Sequence, residues 1–144
     1  MTEHGHIADV TVGALMTRPV LSIRLDTTIA AVTALMAAHP FNGFPVVDEL
    51  GALHGLVTRL DLFKCCLVPE SRFLAAVEDS WAASVRAIMT RHPLVVRPFE
   101  PAARAIQLVV DHRLRTIPVV EESGGVARLV GVVTRSDLAR ALVR

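Results

Sequence analysis

The sequence is poor in aromatic residues and in cysteine. Only 4% of its 144 residues are aromatic and none is tyrosine, so a core drawn from the 52% hydrophobic residues has to be aliphatic. The two cysteines, Cys65 and Cys66, are adjacent and cannot form the cross-linked framework of a small secreted domain. We interpret them as small buried residues at a helix end, in a reduced compartment.

Long apolar runs and a strong net charge are also missing. No apolar run approaches the roughly 20 residues that span a bilayer. The start, MTEHGHIADV, lacks the basic and then apolar stretch of a signal peptide. A net charge of +1 argues against bulk nucleic-acid binding, which usually needs a strongly basic surface. We therefore expect a cytoplasmic protein with neither a membrane nor a nucleic-acid partner.

The sequence does contain a tandem repeat. Residues 11–47 align with residues 84–120 without a gap, and 13 of these 37 positions are identical. After a three-residue insertion in the second copy, GLVTRLDL of 55–62 aligns with GVVTRSDL of 131–138. Two blocks that recur in the same order indicate a duplication.

Each copy predicts the same order of elements: short helix, strand, helix, strand, strand, helix, which is a mixed α/β fold. Thr11 and Ser84 are N-cap candidates for the short helices, and Thr28 for the longer helix of the first copy. Apolar spacing predicts the equivalent helix of the second copy, with Val110 on its apolar side. Strands are predicted at Val20–Ile23, Phe44–Val47, Leu53–Thr58, Leu94–Arg97, Ile117–Val120 and Leu129–Thr134, and closing helices at Arg59–Cys66 and Ser136–Val143.

The repeat also predicts the domain organisation. We expect an N-terminal tail at 1–10, a first copy at 11–66, a connector helix at 67–83 and a second copy at 84–144. Pro69 is suited to the start of the connector helix, and Trp81 is interpreted as its packing anchor.

Three pieces recur in both copies: the Met-Thr-Arg start, the Pro-Val-Val strand and the ending Gly-x-x-Thr-x-x-Asp-Leu. Together they resemble cystathionine-β-synthase (CBS) domains over about residues 11–144. The second copy, with MTRHPLVVRP, follows the family pattern closely, whereas the first has Pro19 one position early and Leu25 where a proline is usual. The resemblance implies a stand-alone Bateman module, a pseudo-two-fold symmetric pair of copies.

The resemblance further implies a regulatory module without catalysis. An adenosine-containing ligand (AMP, ADP, ATP, S-adenosylmethionine or NADH) would bind in clefts between the copies, and no cofactor would be obligatory. Asp61 and Asp137 would bind the ribose hydroxyls, and Thr58 and Thr134 the ribose or the first phosphate. The full set of ligand-binding residues that we expect is Thr17, Val20, Leu21, Phe44, Pro45, Thr58, Arg59, Asp61, Thr90, Leu94, Val95, Arg115, Ile117, Pro118, Thr134, Arg135 and Asp137.

The chemistry of these residue types supports the assignment. A carboxylate accepts two hydrogen bonds from a vicinal diol. Thr58 and Thr134 precede helices, where free N–H groups favour a phosphate, and Arg59 and Arg135 add charge there. A Thr-x-x-Asp before an apolar run is also a helix-capping signal. Its recurrence in both copies favours the functional interpretation.

Alternative functions start from the remaining polar residues. Cys65 and Cys66 with several histidines allow a metal- or redox-responsive protein, although no metal-ligand spacing is present. A small enzyme acting on the bound nucleotide is a third hypothesis, but no catalytic constellation is found. His39 and His112 are interpreted as residues of helix ends. Arg113 and Arg115 either reach a phosphate or belong to a solvated turn.

The closing helices are apolar on more than one side, which predicts a two-fold homodimer with these helices at the contact. A separate protein effector, not identified by the sequence, would respond to the ligand.

Because the second copy keeps the full family pattern, Asp137→Ala is expected to weaken ligand binding more than Asp61→Ala. The two substitutions are expected to have similar and modest costs in stability.

Overall fold

The computed structural model of the chain describes residues 9–18, 20–65 and 83–143. The chain divides into two compact units: unit 1 consists of Met1–Val20 and Pro93–Arg144, and unit 2 of Leu21–His92. The elements are, in chain order, α1 (Val12–Leu15), β1 (Ile23–Arg24), α2 (Ile29–Ala38), β2 (Gly43–Val47), β3 (Leu53–Thr58), α3 (Arg59–Cys65), a 3₁₀ turn (Val85–Ala87), β4 (Thr90–Arg91), α4 (Ala102–His112), β5 (Thr116–Ser123), β6 (Val126–Thr134) and α5 (Arg135–Leu142).

Unit 2 is built on a four-stranded sheet in the order β1-β2-β3-β4. β1 is parallel to β2, and the other neighbours are antiparallel. Thr28 begins α2, since its side chain accepts a hydrogen bond from the Ala31 N–H at 3.1 Å. The core of the unit is aliphatic apart from Phe44, and its buried members are Ile23, Val32, Met36, Phe44, Val46, Val57 and Val85.

Unit 1 is built on the antiparallel β5–β6 hairpin, which is longer than the β2–β3 hairpin of unit 2. Val96 adds a single parallel bridge beside Val119, with backbone hydrogen bonds to Pro118 and Val120. Helices α1, α4 and α5 pack against the hairpin and complete the buried core. The members of this core, from strands and helices together, are Val12, Val96, Ala102, Ala105, Leu108, Ile117, Val119, Val133 and Leu138.

The short segment that begins each sequence copy belongs to the compact unit formed mainly by the other copy. Thr17, from the first copy, forms a bridge with Val132 of β6 in unit 1. Thr90, from the second copy, pairs with Leu56 of β3 in unit 2. Leu56 and Val132 are equivalent positions in the repeat, so the exchange is symmetrical. The boundaries expected from the repeat, 11–66 and 84–144, are therefore a different division of the chain from the compact units and stay a prediction.

The methionine before each of these threonines accounts for the glycine in the Gly-x-x-Thr-x-x-Asp ending of the other copy. A Cβ atom on Gly131 would lie 2.7 Å from Sδ of Met16, and one on Gly55 would lie 2.8 Å from Sδ of Met89. Each methionine thus packs over the one residue without a side chain. The Met-Thr start and the Gly-x-x-Thr-x-x-Asp ending are parts of one packing arrangement, contributed by opposite copies.

The predicted α/β class and the predicted order of elements are confirmed, with local corrections to the strands. The strand predicted at Val20–Ile23 lies at Ile23–Arg24, and the strand predicted at Leu94–Arg97 is reduced to the bridge at Val96, because Pro98 has no N–H to continue the ladder. β4 was not predicted. Val110, predicted on the apolar side of α4, is exposed, and Leu108 is buried instead.

Several predictions concern residues that the structure does not describe. They are the tail at 1–8, Pro19, Cys66 and the connector helix up to residue 82 with Trp81. Among the described residues, none belongs to a helix both long enough and apolar enough to cross a membrane.

Candidate functional site

Unit 2 holds one of the two predicted carboxylates at the junction of β3 and α3. Asp61 is buried, with 8% of its surface exposed. Its Oδ2 accepts hydrogen bonds from the Thr58 N–H at 2.8 Å and the Thr58 hydroxyl at 3.1 Å. The Asp61 N–H donates in turn to the Thr58 hydroxyl oxygen at 3.2 Å. The pair is therefore a reciprocal helix cap that also holds a carboxylate in a fixed place.

Unit 1 repeats this arrangement at the junction of β6 and α5. Asp137 is 2% exposed, and it forms a capping box with Thr134. Its Oδ2 accepts a hydrogen bond from the Thr134 N–H at 2.9 Å. Two more side chains reach the same carboxylate: the Thr17 hydroxyl, at 3.2 and 3.1 Å from the two oxygens, and the Arg140 guanidinium, which is paired with Oδ1.

The sequence did not predict the Arg140 contact, nor that Thr17 bonds to Asp137. The signal available was the identical Met-Thr-Arg trio in both copies, which indicates a shared structural demand without naming its partner. Thr90, the counterpart of Thr17, is exposed on β4 and forms no hydrogen bond with Asp61.

The two arginines after the threonines bind backbone carbonyls. The Nη2 atom of Arg59 donates to the carbonyls of Met36 and His39 at 3.0 Å each, at the end of α2. Arg135 does the same at the end of α4, donating to the carbonyls of Leu114 at 2.7 Å and Arg113 at 3.0 Å. Both guanidiniums thereby bind carbonyls at or just beyond the end of the preceding helix. Phosphate binding by Arg59 or Arg135 stays a prediction, and it would compete with these bonds.

The residues predicted to line the base fall into two groups. Phe44, Pro45, Ile117 and Pro118 are buried in their own units, with Phe44 and Ile117 in the two cores. Their side chains therefore support the strands from behind. The remaining four are accessible: Leu21 in unit 2 and Val20, Leu94 and Val95 in unit 1, with Leu21 and Leu94 exposed.

Arg113 and Arg115 are exposed in the turn between α4 and β5. Arg113 has a left-handed backbone with φ of 56°, and the Arg115 carbonyl accepts a hydrogen bond from the Arg135 N–H at 3.3 Å. Neither guanidinium has an ion pair or hydrogen bond with any residue that the structure describes. The first copy has Pro40 and Asn42 at these positions, so this positive charge is specific to unit 1.

The other ionisable groups are arranged for structure. Asp48 caps the β2–β3 turn, and its Oδ2 lies 2.9 Å from Nε2 of His54. The hydrogen bond from His54, together with that from the Ala52 N–H, lowers the pKa of Asp48. Over residues 9–18, 20–65 and 83–143, no three His, Cys, Asp or Glu side chains come together as a metal site would need. The Cys65 thiol donates a hydrogen bond to the Asp61 carbonyl at 3.4 Å.

Comparison with known proteins gives a consistent result. The CBS domain family matches residues 12–67 and 85–144. A CBS domain-containing protein of Dictyostelium discoideum is 32% identical over 140 residues, which cover 94% of this chain and 92% of that protein. The crystal structure of CBSX2, an Arabidopsis thaliana CBS-pair protein, in complex with AMP is 27% identical with a TM-score of 0.78, covering 93% of this chain and 96% of that chain.

Some relatives are much longer than this chain. The inosine-5′-monophosphate dehydrogenase of Mycobacterium tuberculosis is 33% identical over 127 residues, which cover 88% of this chain but 21% of the enzyme. The chain therefore matches about a fifth of the length of that protein.

Proposed function

Because the chain belongs to the CBS domain family, we propose that it is a regulatory module that binds an adenosine-containing ligand without transforming it. One observation carries the proposal: each unit holds a buried carboxylate, Asp61 or Asp137, in a reciprocal cap with a threonine at a helix N-terminus. A carboxylate there suits a ribose diol, and the helix end suits a phosphate. The AMP complex of the Arabidopsis relative supports this choice of ligand.

In unit 2 we place the ribose at Asp61 and the first phosphate at Thr58, with the exposed Leu21 and Thr90 as further contacts. In unit 1 the equivalent residues are Asp137 and Thr134, with Leu94 and Val95 at the base. Phe44, Pro45, Ile117 and Pro118 act from the second layer, because they are buried. Backbone groups of their strands then read the edge of the purine.

Arg115, with Arg113, adds a phosphate contact in unit 1. Both guanidiniums are exposed and without a partner in the described part of the chain, and Arg115 is anchored through its carbonyl to the first residue of α5. A guanidinium binds phosphate oxygens in a bidentate manner. Ligands with more phosphates should therefore favour unit 1 over unit 2.

A regulatory module needs a surface that contacts another protein chain, and we place this surface at the closing helices α3 and α5. Leu60 and Phe63 of α3 are more than half exposed, as are Leu142 and Val143 at the end of α5. Exposed apolar groups of this size favour a two-fold homodimer or a contact with a protein effector. A monomeric mass by light scattering at micromolar concentration would contradict the dimer.

A thermal-shift panel tests the function. AMP, ADP, ATP, S-adenosylmethionine, NADH and zinc are added separately, after the absorbance ratio of the sample has shown that no nucleotide was co-purified. A ligand at about a hundred times its dissociation constant stabilises by about 2.7 kcal/mol, which raises the melting temperature by several degrees. The control is the Asp61→Ala/Asp137→Ala double variant, compared with its own baseline.

The outcomes separate the hypotheses. A shift with adenine ligands that the double variant loses supports the proposal. A shift with zinc alone would favour the metal-responsive alternative. Conversion of a bound nucleotide during overnight incubation would show an enzyme. If no ligand shifts the midpoint and calorimetry detects no heat, the proposed function is wrong.

A further inference from the structure

The two buried carboxylates differ in how many of their acceptor sites are already used. An ionised carboxylate has about four lone-pair sites. The carboxylate of Asp61 accepts hydrogen bonds only from Thr58 among the described residues, and both bonds are to Oδ2. No described buried side-chain atom lacks a partner, so Oδ1 of Asp61 is not sealed from solvent. One oxygen of Asp61 therefore stays open to the two hydroxyls of a ribose.

Asp137 has no such open oxygen. Oδ2 accepts from the Thr134 N–H and the Thr17 hydroxyl, and Oδ1 accepts from the Thr17 hydroxyl and is paired with Arg140. A ribose diol has to displace at least one of these donors. Thr134 is fixed by its cap and Thr17 by two backbone hydrogen bonds to Val132, which leaves Arg140 as the most easily displaced donor.

Arg140 lies on the solvent side of the carboxylate. Its side chain is 68% exposed, whereas the side chain of Asp137 is 3% exposed. Beside it lies an open groove of about 520 Å³, lined by Val10, Ala14, Leu15, Arg140, Ala141 and Val143. A displaced Arg140 side chain has room to move into this groove, so its release needs no change of the backbone.

The first copy supplies a matched comparison. Lys64 is the repeat equivalent of Arg140, three residues after Asp61 as Arg140 is three residues after Asp137. Within the part of the chain that the structure describes, Lys64 forms no ion pair with Asp61. The latch is thus present in one unit and absent in the other, although both have a cation at that position.

We propose that Arg140 is a latch that competes with the ribose for Asp137, so that the site of unit 2 fills before the site of unit 1. This inference rests on the proposed function, since it assigns an order to the same two sites. Because the Arg140 side chain is largely exposed, solvent weakens its ion pair, so the latch delays filling of unit 1 and does not prevent it. A ligand with more phosphates overcomes it by adding contacts to Arg113 and Arg115.

Adenosine is the probe for the test, because it has the ribose diol but no charge of its own. Backbone amide signals are followed by ¹⁵N–¹H NMR during titration: Thr58 and Arg59 report on unit 2, and Thr134 and Arg135 on unit 1. The variants are Arg140→Met and its matched control Lys64→Met, which keep the helix and the side-chain length but remove the charge.

In the unmodified protein, the unit 2 amides should reach half-saturation at lower adenosine concentration than the unit 1 amides. Arg140→Met should lower the unit 1 midpoint about two- to fivefold and leave the unit 2 midpoint unchanged. Lys64→Met should change neither. Raising the salt from about 0.05 M to about 0.5 M should tighten adenosine binding in unit 1 of the unmodified protein but not of Arg140→Met, since salt screens the ion pair.

The latch is overturned if the two units fill together in the unmodified protein, or if Arg140→Met leaves the unit 1 midpoint unchanged while unit 2 binds normally. A different result, in which neither adenosine nor AMP shifts any of the four amides in any variant, refutes the proposed function itself and the latch with it.

Discussion

Units 1 and 2 each have a β-hairpin followed by a helix with a Thr–Asp cap, but they hold their carboxylates in different ways. In unit 2 the carboxylate of Asp61 is bound, among the residues that the structure describes, by Thr58 alone. In unit 1 the carboxylate of Asp137 contacts three parts of the chain. It accepts hydrogen bonds from Thr134 and Thr17, and it forms an ion pair with Arg140 of α5. The two copies of one motif thus differ in how many parts of the chain contact the carboxylate.

The largest expected difference lies in the glycines beneath the two methionines. A Cβ on Gly55 would lie 2.8 Å from both Sδ of Met89 and the carbonyl oxygen of Thr90, whereas a Cβ on Gly131 would lie 2.7 Å from Sδ of Met16 but 3.2 Å from the Thr17 carbonyl. A side-chain end moves more easily than backbone. We expect Gly55→Ala to destabilise by about 2–3 kcal/mol and Gly131→Ala by about 1 kcal/mol, measured by urea unfolding.

Shortening the methionines sharpens this test. Met16→Ala added to Gly131→Ala should recover most of the overpacking cost of the glycine change. Met89→Ala added to Gly55→Ala should recover only part of it, because the carbonyl of Thr90 remains. Equal costs of the two glycine changes, or full recovery at both positions, would show that the two methionine contacts are equivalent.

A smaller difference is expected for the carboxylates themselves. The sequence predicts similar stability costs for Asp61→Ala and Asp137→Ala, but the contacts of the two residues favour a different result. Asp61→Ala removes a helix cap and should cost about 1 kcal/mol. Asp137→Ala also removes the acceptor for Thr17 and Arg140 and should cost about 2–3 kcal/mol. Unfolding in urea at neutral pH measures both.

Thr17→Val provides the control for this comparison. It should destabilise the unmodified protein but add almost nothing to Asp137→Ala, since the hydroxyl then has no carboxylate to bind. Additive costs would show that Thr17 acts elsewhere. For adenosine, the contacts also reverse the ranking of affinity losses expected from the sequence: Asp61→Ala should lose more affinity, because Asp61 belongs to the site that fills first.

The smallest expected effect is the pH response of the Asp48–His54 pair, which only unit 2 has. Glu121 and Val130 stand at the equivalent positions of unit 1. The hydrogen bond from His54 lowers the pKa of Asp48 in the folded protein. The unfolded chain, with a pKa near 4, therefore takes up this proton first as the pH falls. Stability from the pair is complete above about pH 4 and is lost as the pH falls through the folded pKa of Asp48.

His54→Ala should make stability less dependent on pH in this acid range, as measured by urea unfolding at about pH 6, 4 and 3. Glu121→Gln in unit 1 is the control and should leave the dependence unchanged. If His54→Ala unfolds with the same dependence as the unmodified protein, the pair does not contribute.

Local signals in the sequence were sufficient for most of the fold. The Thr28 cap and the apolar spacing placed α2, and the β-branched and aromatic residues around Pro45 and Pro118 placed the central strands. The exchanged segments could not be predicted, because pairing of Thr17 with Val132 joins residues more than a hundred positions apart and leaves no local pattern. The strand at Leu94–Arg97 was overestimated, since Val96 is its one buried apolar residue and Pro98 stops its hydrogen bonding.

The candidate site was predictable as a set of residue types but not as a set of contacts. Thr58, Asp61, Thr134 and Asp137 lie together in their predicted pairs. Arg59 and Arg135 have the charge of a phosphate ligand, yet they bind carbonyls, a choice that depends on where the preceding helix ends. Phe44 and Ile117 lie in the cores and not at the ligand. This could not be predicted, because the sequence shows that a strand residue is apolar but not which face of the sheet it occupies.

The exchange of the Met-Thr segments also bears on how this sequence can evolve. A substitution at Met16 is felt by Gly131, and one at Met89 by Gly55, so each half of the duplicated gene carries a part that completes the other half. A change at one of these four positions therefore has to be accommodated by a residue of the other copy. The two copies are thus coupled in sequence at Met16 and Gly131 and at Met89 and Gly55.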